Sequence, residues 1–399
     1  MEAKPLIAST LRELGWIAAY LAAALAILLS GLSYQLKQWL LAALNIAGVL
    51  FFFLSTSRQD IVSLAIILAA VVAHWGLLKV FSAYGNDNDR IYWIAFLFPI
   101  VLLVALKSQS TLHLLGVSYL AFRMAQTVFE LRDYSGPNIA LGEYLAFLIF
   151  PTTFSAGPIS PFLYYRDTAN GATVSPHNLG YGLLRVMVGY IKFRFLATMV
   201  QQLTFTNLWI DGFRHGHVDF IVSGAAYYVY LYLNFSGYTD IAVGLSAILG
   251  IRVKENFANP FSARNVREFW QRWHISLTEF VRNVVFTPLS MTLLRWFGIR
   301  FSAVVIVISA FATFAVLALW HGTEPGYFIF YGAHAAAFAL NMIGESELRK
   351  RKLLRDYMAN RWIGFASRIV TFLFISLTFA FFDLQSWPAI TSAFSLITP

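Results

Sequence analysis

The chain has 399 residues, of which 58% are hydrophobic and 12% are charged, and it contains no cysteine. Soluble domains carry about twice that charged fraction, so the composition excludes an ordinary soluble protein and predicts a polytopic membrane protein. The missing cysteines exclude disulfide bonds, cysteine-ligated metals and thiol nucleophiles. The net charge of +9 indicates a positive-inside bias and attraction to anionic lipid rather than binding to nucleic acid.

Four uncharged runs open the chain, at residues 14–36, 38–57, 61–78 and 91–106. A helix needs about 20 apolar residues to cross a hydrocarbon core about 30 Å thick, so these runs are long enough, or nearly so, to cross. The fourth is the shortest and is expected to tilt little or to lie inside the bundle. The first lacks a signal-peptidase site and is expected to be a spanning helix.

The middle of the chain has a less regular pattern. Residues 144–158 are apolar but contain Pro151, Gly157 and Pro158, which predicts a broken or re-entrant element. Residues 179–201 carry three embedded basic residues, which favours a helix that faces protein or an interface rather than lipid.

A further span is predicted at residues 220–239, with an interruption at residues 234–238. Two basic blocks follow: residues 252–300 hold eight of the 29 lysines and arginines, and residues 349–368 hold seven. The uncharged runs between these blocks are predicted to form a hairpin, which would return both blocks to one face. The positive-inside rule makes that face cytoplasmic.

Residues 265–284 are predicted to form one amphipathic helix, because their apolar side chains fall within an arc of about 120°. His274 lies on the seam between its apolar and polar faces. The helix is too charged to span, so we expect it to lie along the membrane boundary with its tryptophans inward. Two interpretations remain open, an anchor helix with an interfacial histidine or a histidine that points into a cavity.

The stretch Leu319-Trp320-His321-Gly322 ends the first run of the predicted hairpin, and Glu324-Pro325-Gly326 follows as a turn. An ionisable residue in a membrane segment is costly unless it faces a cavity or a partner. Irregular backbone at membrane depth is tolerated only where it is buried in protein or lines water. His321 is therefore predicted either to line a cavity or to end a helix at headgroup level.

The other histidines are weaker candidates. His74 is expected to be hydrogen-bonded by its neighbours, and His334 is a candidate neighbour of His321. No metal site is predicted, because His215 and His217 lack a third nearby ligand.

Several long motifs occur together in one order, at residues 150–159, 234–244, 256–261, 267–277 and 319–322. Together they resemble the signatures of the membrane-bound O-acyltransferase (MBOAT) family. The separation of 47 residues between His274 and His321 suits the bacterial members. That sub-group includes the membrane proteins of alginate and peptidoglycan O-acetylation and of D-alanyl transfer to teichoic acids. The stretch at residues 236–240 favours the polysaccharide O-acetylation side.

The resemblance implies an all-α polytopic bundle, with roughly ten to twelve membrane helices, short interfacial helices and a central funnel. Within a single domain over residues 1–399, we expect peripheral helices at 1–140 and a motif-bearing catalytic core at 141–344. A basic segment and a last helix are expected at 345–399.

The resemblance also implies transfer of an acyl group, expected to be acetyl, from a cytoplasmic thioester to a hydroxyl acceptor of an extracytoplasmic polysaccharide; D-alanyl transfer stays open. The donor would be an acyl-CoA such as acetyl-CoA, or the phosphopantetheine thioester of an acyl carrier protein, with no bound cofactor. His321 would act as general base, and His274 would position or polarise the thioester. Candidate substrate-binding residues are Trp320, Trp273, Asn259, Ser236, Tyr238, Asp240, Arg267, Gln271, Arg272 and Arg282.

The expected location is the inner membrane of a bacterium, with an extracytoplasmic partner protein and no nucleic acid. Two alternatives remain. A lipid O-acyltransferase of the same fold would receive its acceptor from the bilayer. A proton-coupled transporter would use His321 as a proton relay.

Overall fold

A computed structural model describes residues 3–396 of the chain, apart from 57–59, 85–88, 108–115, 134–137, 173, 209–215, 354 and 356–358. The α-helices among these residues are α1 (Ala3–Leu29), α2 (Tyr34–Thr56), α3 (Asp60–Tyr84), α4 (Asp89–Lys107), α5 (Val117–Asp133), α6 (Leu141–Leu148), α7 (Pro151–Phe154), α8 (Phe162–Asn170), α9 (Pro176–Tyr190), α10 (Ala197–Gln201), α11 (Phe205–Leu208), α12 (His217–Ile248), α13 (Val266–Arg272), α14 (Ile275–Val281), α15 (Thr287–Phe297), α16 (Ser302–His321), α17 (Pro325–Lys350), α18 (Arg361–Leu384) and α19 (Trp387–Leu396). Wider π-helical turns at Ile191–Leu196 and Arg282–Phe286 continue α9 and α14.

Five helical segments of the described chain are long and apolar enough to cross a membrane. They are Leu64–Tyr84, Asp89–Leu106, Ile299–His321, Pro325–Lys350 and Arg361–Leu384. The all-α, polytopic character predicted from the sequence is confirmed. The count of ten to twelve membrane helices stays a prediction, as does the division at residues 140 and 344.

The chain forms two compact units, one of Met1–Val188 with Tyr238–Lys254 and the other of Gly189–Gly237 with Glu255–Pro399. In the first unit, α2 packs against α6, while α4 packs against both α3 and α5. His74 on α3 contacts the Tyr144 hydroxyl at 2.7 Å and the Ala95 carbonyl oxygen at 3.2 Å. The expectation that its neighbours hydrogen-bond this histidine is therefore confirmed.

The predicted broken element is present between α6 and α8. Helix α6 ends at Leu148 and the short α7 begins at Pro151, so the last carbonyl groups of α6 need partners outside the helix. The buried guanidinium of Arg123 supplies them, donating to the Phe147 oxygen at 3.1 Å and to the Leu148 oxygen at 2.5 Å. It also donates to the Thr153 hydroxyl at 3.0 Å, which ties α7 to the same point.

Helix α9 exposes the apolar side chains of Leu183, Leu184 and Met187 on one face. Whether that face meets lipid, protein or an interface stays a prediction. The embedded Arg185 points to the other face and forms an ion pair with Asp240 at 2.5 Å. Because this partner satisfies the charge, the remaining face of the helix is free to be apolar.

The interruption predicted at residues 234–238 is wrong, because α12 continues through them from His217 to Ile248. A Cβ atom on Gly237 would lie 2.7 Å from the Gly189 carbonyl oxygen and 2.8 Å from the Phe193 nitrogen. The glycine therefore permits another backbone segment to approach the helix closely. It does not break the helix.

The second unit is organised around the α16–α17 hairpin, with α13 and α18 packed on α17. The Arg368 Nε atom donates to the Ser262 carbonyl oxygen at 3.3 Å, and Arg267 forms an ion pair with Glu345 near the end of α17. The two basic blocks are thus adjacent at one end of the hairpin, as the sequence predicted.

Candidate active site

His321 is the last residue of α16, and the predicted turn after it is confirmed by the start of α17 at Pro325. Its half-buried imidazole is surrounded by aromatic rings from three helices. The ring centroids lie 4.4 Å away for Trp320, 4.9 Å for Phe382, and 5.5 Å for both Tyr327 and Tyr331. These rings restrict the orientation of the imidazole, which places the chemistry-bearing side chain in a defined position at a helix end.

The prediction of one helix over residues 265–284 is wrong. Helix α13 ends at Arg272 and α14 begins at Ile275, and His274 between them has φ 43° and ψ 53°. This left-handed conformation is uncommon for a residue with a side chain and costs about 1–3 kcal/mol. It turns the chain sharply, so His274 leaves the helical surface on which the sequence pattern placed it.

A neighbouring segment holds the chain in this turn. The Ala258 nitrogen donates to the Arg272 oxygen at 3.0 Å, and the Ile275 nitrogen donates to the Asn256 oxygen at 2.9 Å. The Asn256 side-chain oxygen also accepts from the hydroxyl of Ser276 at 2.6 Å. These bonds bracket His274 on both sides and stabilise its strained backbone.

The apolar face predicted for this region is confirmed even though the helix is broken. Phe269, Trp270, Trp273, Leu277 and Phe280 are all buried. The Trp273 ring packs 5.1 Å from Phe257 and 5.5 Å from both Phe269 and Phe379, within an aromatic core that includes Tyr228. These contacts account for Trp273 as a packing residue, and its binding role stays a prediction.

His274 is buried, and its ring centroid lies 4.7 Å from that of Phe235 on α12. Both histidines belong to the second unit. Burial, and then repulsion from His321 when it is protonated, lower the pKa of His274 to about 3. His274 is therefore neutral at physiological pH and able to donate from one ring nitrogen.

A third histidine, His334, links Trp270 on α13 with the aromatic rings around His321. The Trp270 indole nitrogen donates to Nδ1 of His334 at 3.1 Å, so the ring proton of His334 is on Nε2, which contacts the Thr378 hydroxyl at 2.9 Å. The Trp270 ring is stacked 6.1 Å from Tyr331, and Tyr331 is stacked 5.5 Å from His321. His334 thus supports His321 through two intervening rings.

The remaining predicted residues of the second unit differ in their surroundings. Trp320 contacts His321 directly, and Ser236 is buried on α12 beside Phe235. Asn259 is exposed, and its carbonyl oxygen accepts from the Ser262 hydroxyl at 2.8 Å.

The polar residues of α13 and the turn beyond α14 fall into two groups. Arg272 forms an ion pair with Glu268 at 2.7 Å and donates to the Ala258 oxygen at 3.1 Å, and Arg267 is paired with Glu345. Gln271 and Arg282 are exposed, and Arg282 donates to the Asn283 side chain.

Two predicted residues, Tyr238 and Asp240, belong to the first unit. The Tyr238 hydroxyl lies 2.6 Å from the Ser155 hydroxyl, and Asp240 is paired with Arg185. His215, which the sequence offered as half of a metal pair, lies outside the described residues.

Two residues of the site were missed by sequence reasoning. Asn256 opens the motif at residues 256–261, and a lone amide in that position was a usable signal. Phe382 lies in the last apolar run, far from every motif, and no sequence signal could have connected it with His321.

The all-α fold with five membrane-length helices in the described chain, and a histidine held among aromatic rings at a helix end, define a polytopic membrane protein with a candidate catalytic site. Residues 51–382 match the sequence model of the membrane-bound O-acyltransferase family (MBOAT), and the chain belongs to this family. It is therefore a multi-pass membrane enzyme of the O-acyltransferase class.

Two kinds of bacterial protein are among its relatives. A teichoic acid D-alanyltransferase of Streptococcus thermophilus is 28% identical over 77% of this chain and 80% of its own length. A protein of the same name from Bacillus subtilis is 31% identical over 69% of this chain and 70% of its own length. A protein of Pseudomonas syringae pv. tomato, named a probable alginate O-acetylase, is 30% identical over 57% of this chain and 42% of its own length.

Proposed function

We propose that the chain transfers a small acyl group from a thioester donor to a hydroxyl group of a cell-envelope polymer. The observations that carry the proposal are the surroundings of two imidazoles in the second unit. His274 is buried and neutral, and His321 is half-buried at a helix end among aromatic rings. Such a pair offers a proton acceptor and a neutral hydrogen-bond donor in one apolar site.

In this mechanism the acceptor hydroxyl gives its proton to His321 as its oxygen attacks the thioester carbonyl carbon. The carbonyl electrons move to oxygen, and the neutral ring of His274 donates a hydrogen bond to the developing charge. When the intermediate collapses, the carbon–sulfur bond breaks, and the thiolate takes the proton held by His321. The products are an ester and a free thiol, and both imidazoles return to their starting state.

The acyl group is proposed to be D-alanyl or acetyl. D-alanyl transfer from the phosphopantetheine thioester of a carrier protein is favoured by the two teichoic acid D-alanyltransferases, which align over more of this chain than the alginate O-acetylase does. Acetyl transfer from acetyl-CoA is the second candidate, supported by the motif at residues 236–240. Exposed basic residues such as Arg282 are suited to attract the phosphates of either donor.

The donor is proposed to approach from the cytoplasmic side of a bacterial inner membrane, where the adjacent basic blocks would lie under the positive-inside rule. An extracytoplasmic partner protein is proposed to complete delivery to the polymer. The adjacency of Arg368 and Ser262, and of Arg267 and Glu345, supports a single basic end for the second unit.

The test uses membrane vesicles that contain the full chain, with labelled acetyl-CoA in one arm and a labelled D-alanyl carrier-protein thioester in the other. We expect label in envelope polymer from one donor, and a loss of about 10²–10⁴-fold in His321→Ala, the usual contribution of a general base. His217→Ala, at an exposed position on α12, is the matched control and should transfer at the wild-type rate.

An unchanged rate in His321→Ala at equal protein level would remove the assigned base. Label recovered in organic-soluble lipid instead of polymer would replace the polymer acceptor with a lipid one.

A further inference from the structure

Asn256 is completely buried and lies on the segment that holds the turn at His274. Its amide oxygen accepts from the Ser276 hydroxyl at 2.6 Å and from the Ser276 nitrogen at 3.3 Å. Its backbone oxygen accepts from Ile275, the residue directly after His274. Because two donors of Ser276 fix the amide oxygen, the amide nitrogen is directed away from that residue.

The Asn256 amide nitrogen is buried and has no hydrogen-bond partner among the described residues. The Ser236 hydroxyl is also buried without a hydrogen-bond partner among the described residues, and only 3% of the residue is exposed. Most buried polar groups in folded proteins are hydrogen-bonded, and each exception needs an explanation, such as a catalytic role. Two exceptions in one part of the unit suggest a shared ligand.

Each of the two residues is the chain neighbour of a phenylalanine that packs near His274. Ser236 follows Phe235, whose ring lies 4.7 Å from that of His274, and the same ring lies 5.2 Å from Phe257, the residue after Asn256. Asn256, Ser236 and His274 therefore belong to three segments that meet at the Phe235 ring. Two neutral donors on segments that meet near a neutral histidine are suited to a single oxygen atom carrying partial negative charge.

We propose that the Asn256 amide, assisted by the Ser236 hydroxyl, binds the carbonyl oxygen of the acyl donor and stabilises the negative charge that it gains during transfer. This assignment rests on the proposed function. When the acceptor oxygen attacks the carbonyl carbon, the π electrons move to the carbonyl oxygen, which the amide N–H and the hydroxyl then hold. Collapse of the intermediate restores the double bond and expels the thiolate, which takes its proton from His321.

An amide is well suited to this position because it cannot lose its proton in the physiological range. The anchoring of its oxygen by Ser276 also means that little reorganisation is needed as the charge develops. Interactions stronger in the transition state than in the bound donor raise kcat and leave KM little changed. The split between kcat and KM therefore separates a catalytic role for Asn256 from a purely structural one.

The test measures kcat and donor KM in vesicles, together with the unfolding temperature of the detergent-solubilised protein. Asn256→Ala should lower kcat by about 10²–10³-fold, as loss of one oxyanion donor does, with KM changed less than threefold. Asn256→Asp retains the oxygen that Ser276 contacts but loses the donor, and should lower kcat at least as much. Ser236→Ala should lower kcat less than Asn256→Ala does, because the hydroxyl is the assisting donor.

Thr278→Ala is the matched control, because it removes a hydrogen bond of 3.2 Å to the Trp273 oxygen in the same turn without altering Asn256. It should turn over at the wild-type rate. If Asn256→Ala does not fold, Asn256→Asp answers the same question with the Ser276 contact preserved.

Wild-type kcat in a folded Asn256→Ala or Asn256→Asp variant would overturn the inference. If His321→Ala is inactive while the Asn256 variants are active, only the role of Asn256 fails. If His321→Ala is as active as wild type, the proposed function fails as well.

Discussion

The buried polar groups of the first unit differ in use from those of the second. In the first, Arg123 donates to three oxygen atoms at the break between α6 and α7, and Glu143 accepts from Arg166 through both oxygens at 2.7 Å. In the second, His274 occupies a strained backbone position next to Ile275, whose nitrogen donates to the Asn256 backbone oxygen. An unpartnered buried donor occurs in both units, since neither the Arg123 Nε atom nor the Asn256 amide nitrogen has a partner among the described residues. The difference is therefore the strain: polar groups that close a gap in the backbone indicate a structural role, whereas backbone strain at a histidine indicates a functional one.

The largest effect on stability should come from Arg123→Met. This change removes a buried donor and leaves the Phe147 and Leu148 oxygens and the Thr153 hydroxyl without it. Unsatisfied buried acceptors cost about 1–3 kcal/mol each, partly offset here because a buried charge is also removed, so we expect a loss of about 2–4 kcal/mol. The measurement is the unfolding midpoint in detergent, with transfer rate per folded molecule recorded beside it.

The matched control is Arg132→Met, because Arg132 forms an ion pair with Asp89 at 3.2 Å while both side chains are at least half exposed. Such pairs contribute about 0–1 kcal/mol, so its unfolding midpoint should be close to that of wild type. A normal unfolding midpoint in Arg123→Met, whether or not the transfer rate is lost, would remove the structural interpretation of the buried guanidinium.

The second-largest expected effect is a pH dependence of stability caused by Glu130. Burial raises the pKa of Glu130 on α5 to about 7, while a hydrogen bond from the Leu163 nitrogen and the charge of Lys254 act in the opposite direction. A carboxyl with a raised folded-state pKa favours folding when protonated, so its contribution declines as pH rises from about 4.5 through 7.

Replacing Glu130 by Gln should remove this dependence. Between pH 5 and pH 8, wild type should lose about 1–3 kcal/mol more stability than Glu130→Gln. Unfolding midpoints at the two pH values provide the measurement. Parallel pH profiles for the two proteins would mean that Glu130 has an ordinary pKa in the folded state.

Much of the site could be predicted from the sequence because the motifs contain the residues whose side chains can take part in the chemistry. The apolar composition indicated the membrane, and the motifs containing His274 and His321 identified the two residues that interact. The ion pair of Arg272 with Glu268 was not predicted, although residues four apart are neighbours on a helix.

Other features depend on contacts that no local pattern records. The break at His274 was missed because the residues on both sides of it keep their apolar face, so the 3.6-residue period continues across the turn. Gly237 resembled a helix breaker, but its role depends on the backbone at Gly189, which lies far away in sequence. The ion pair of Arg267 with Glu345 joins residues far apart in sequence, and the donor-binding role of Arg267 stays a prediction.

The smallest expected effect tests whether the second unit positions His321 through its aromatic rings. Trp270→Phe retains a ring to stack on Tyr331 but loses the hydrogen bond of 3.1 Å to His334. We expect a fall in kcat of about three- to tenfold and a loss of about 1 kcal/mol in stability, the usual contribution of one hydrogen bond.

The same substitution at Trp296 is the control, because 74% of that residue is exposed on α15. If the two variants have equal kcat, the bond between Trp270 and His334 only contributes to packing. A fall confined to Trp270→Phe would extend the site from two histidines to three. The neutral His334, with its proton on Nε2 toward Thr378, would then determine how firmly Tyr331 holds the His321 ring.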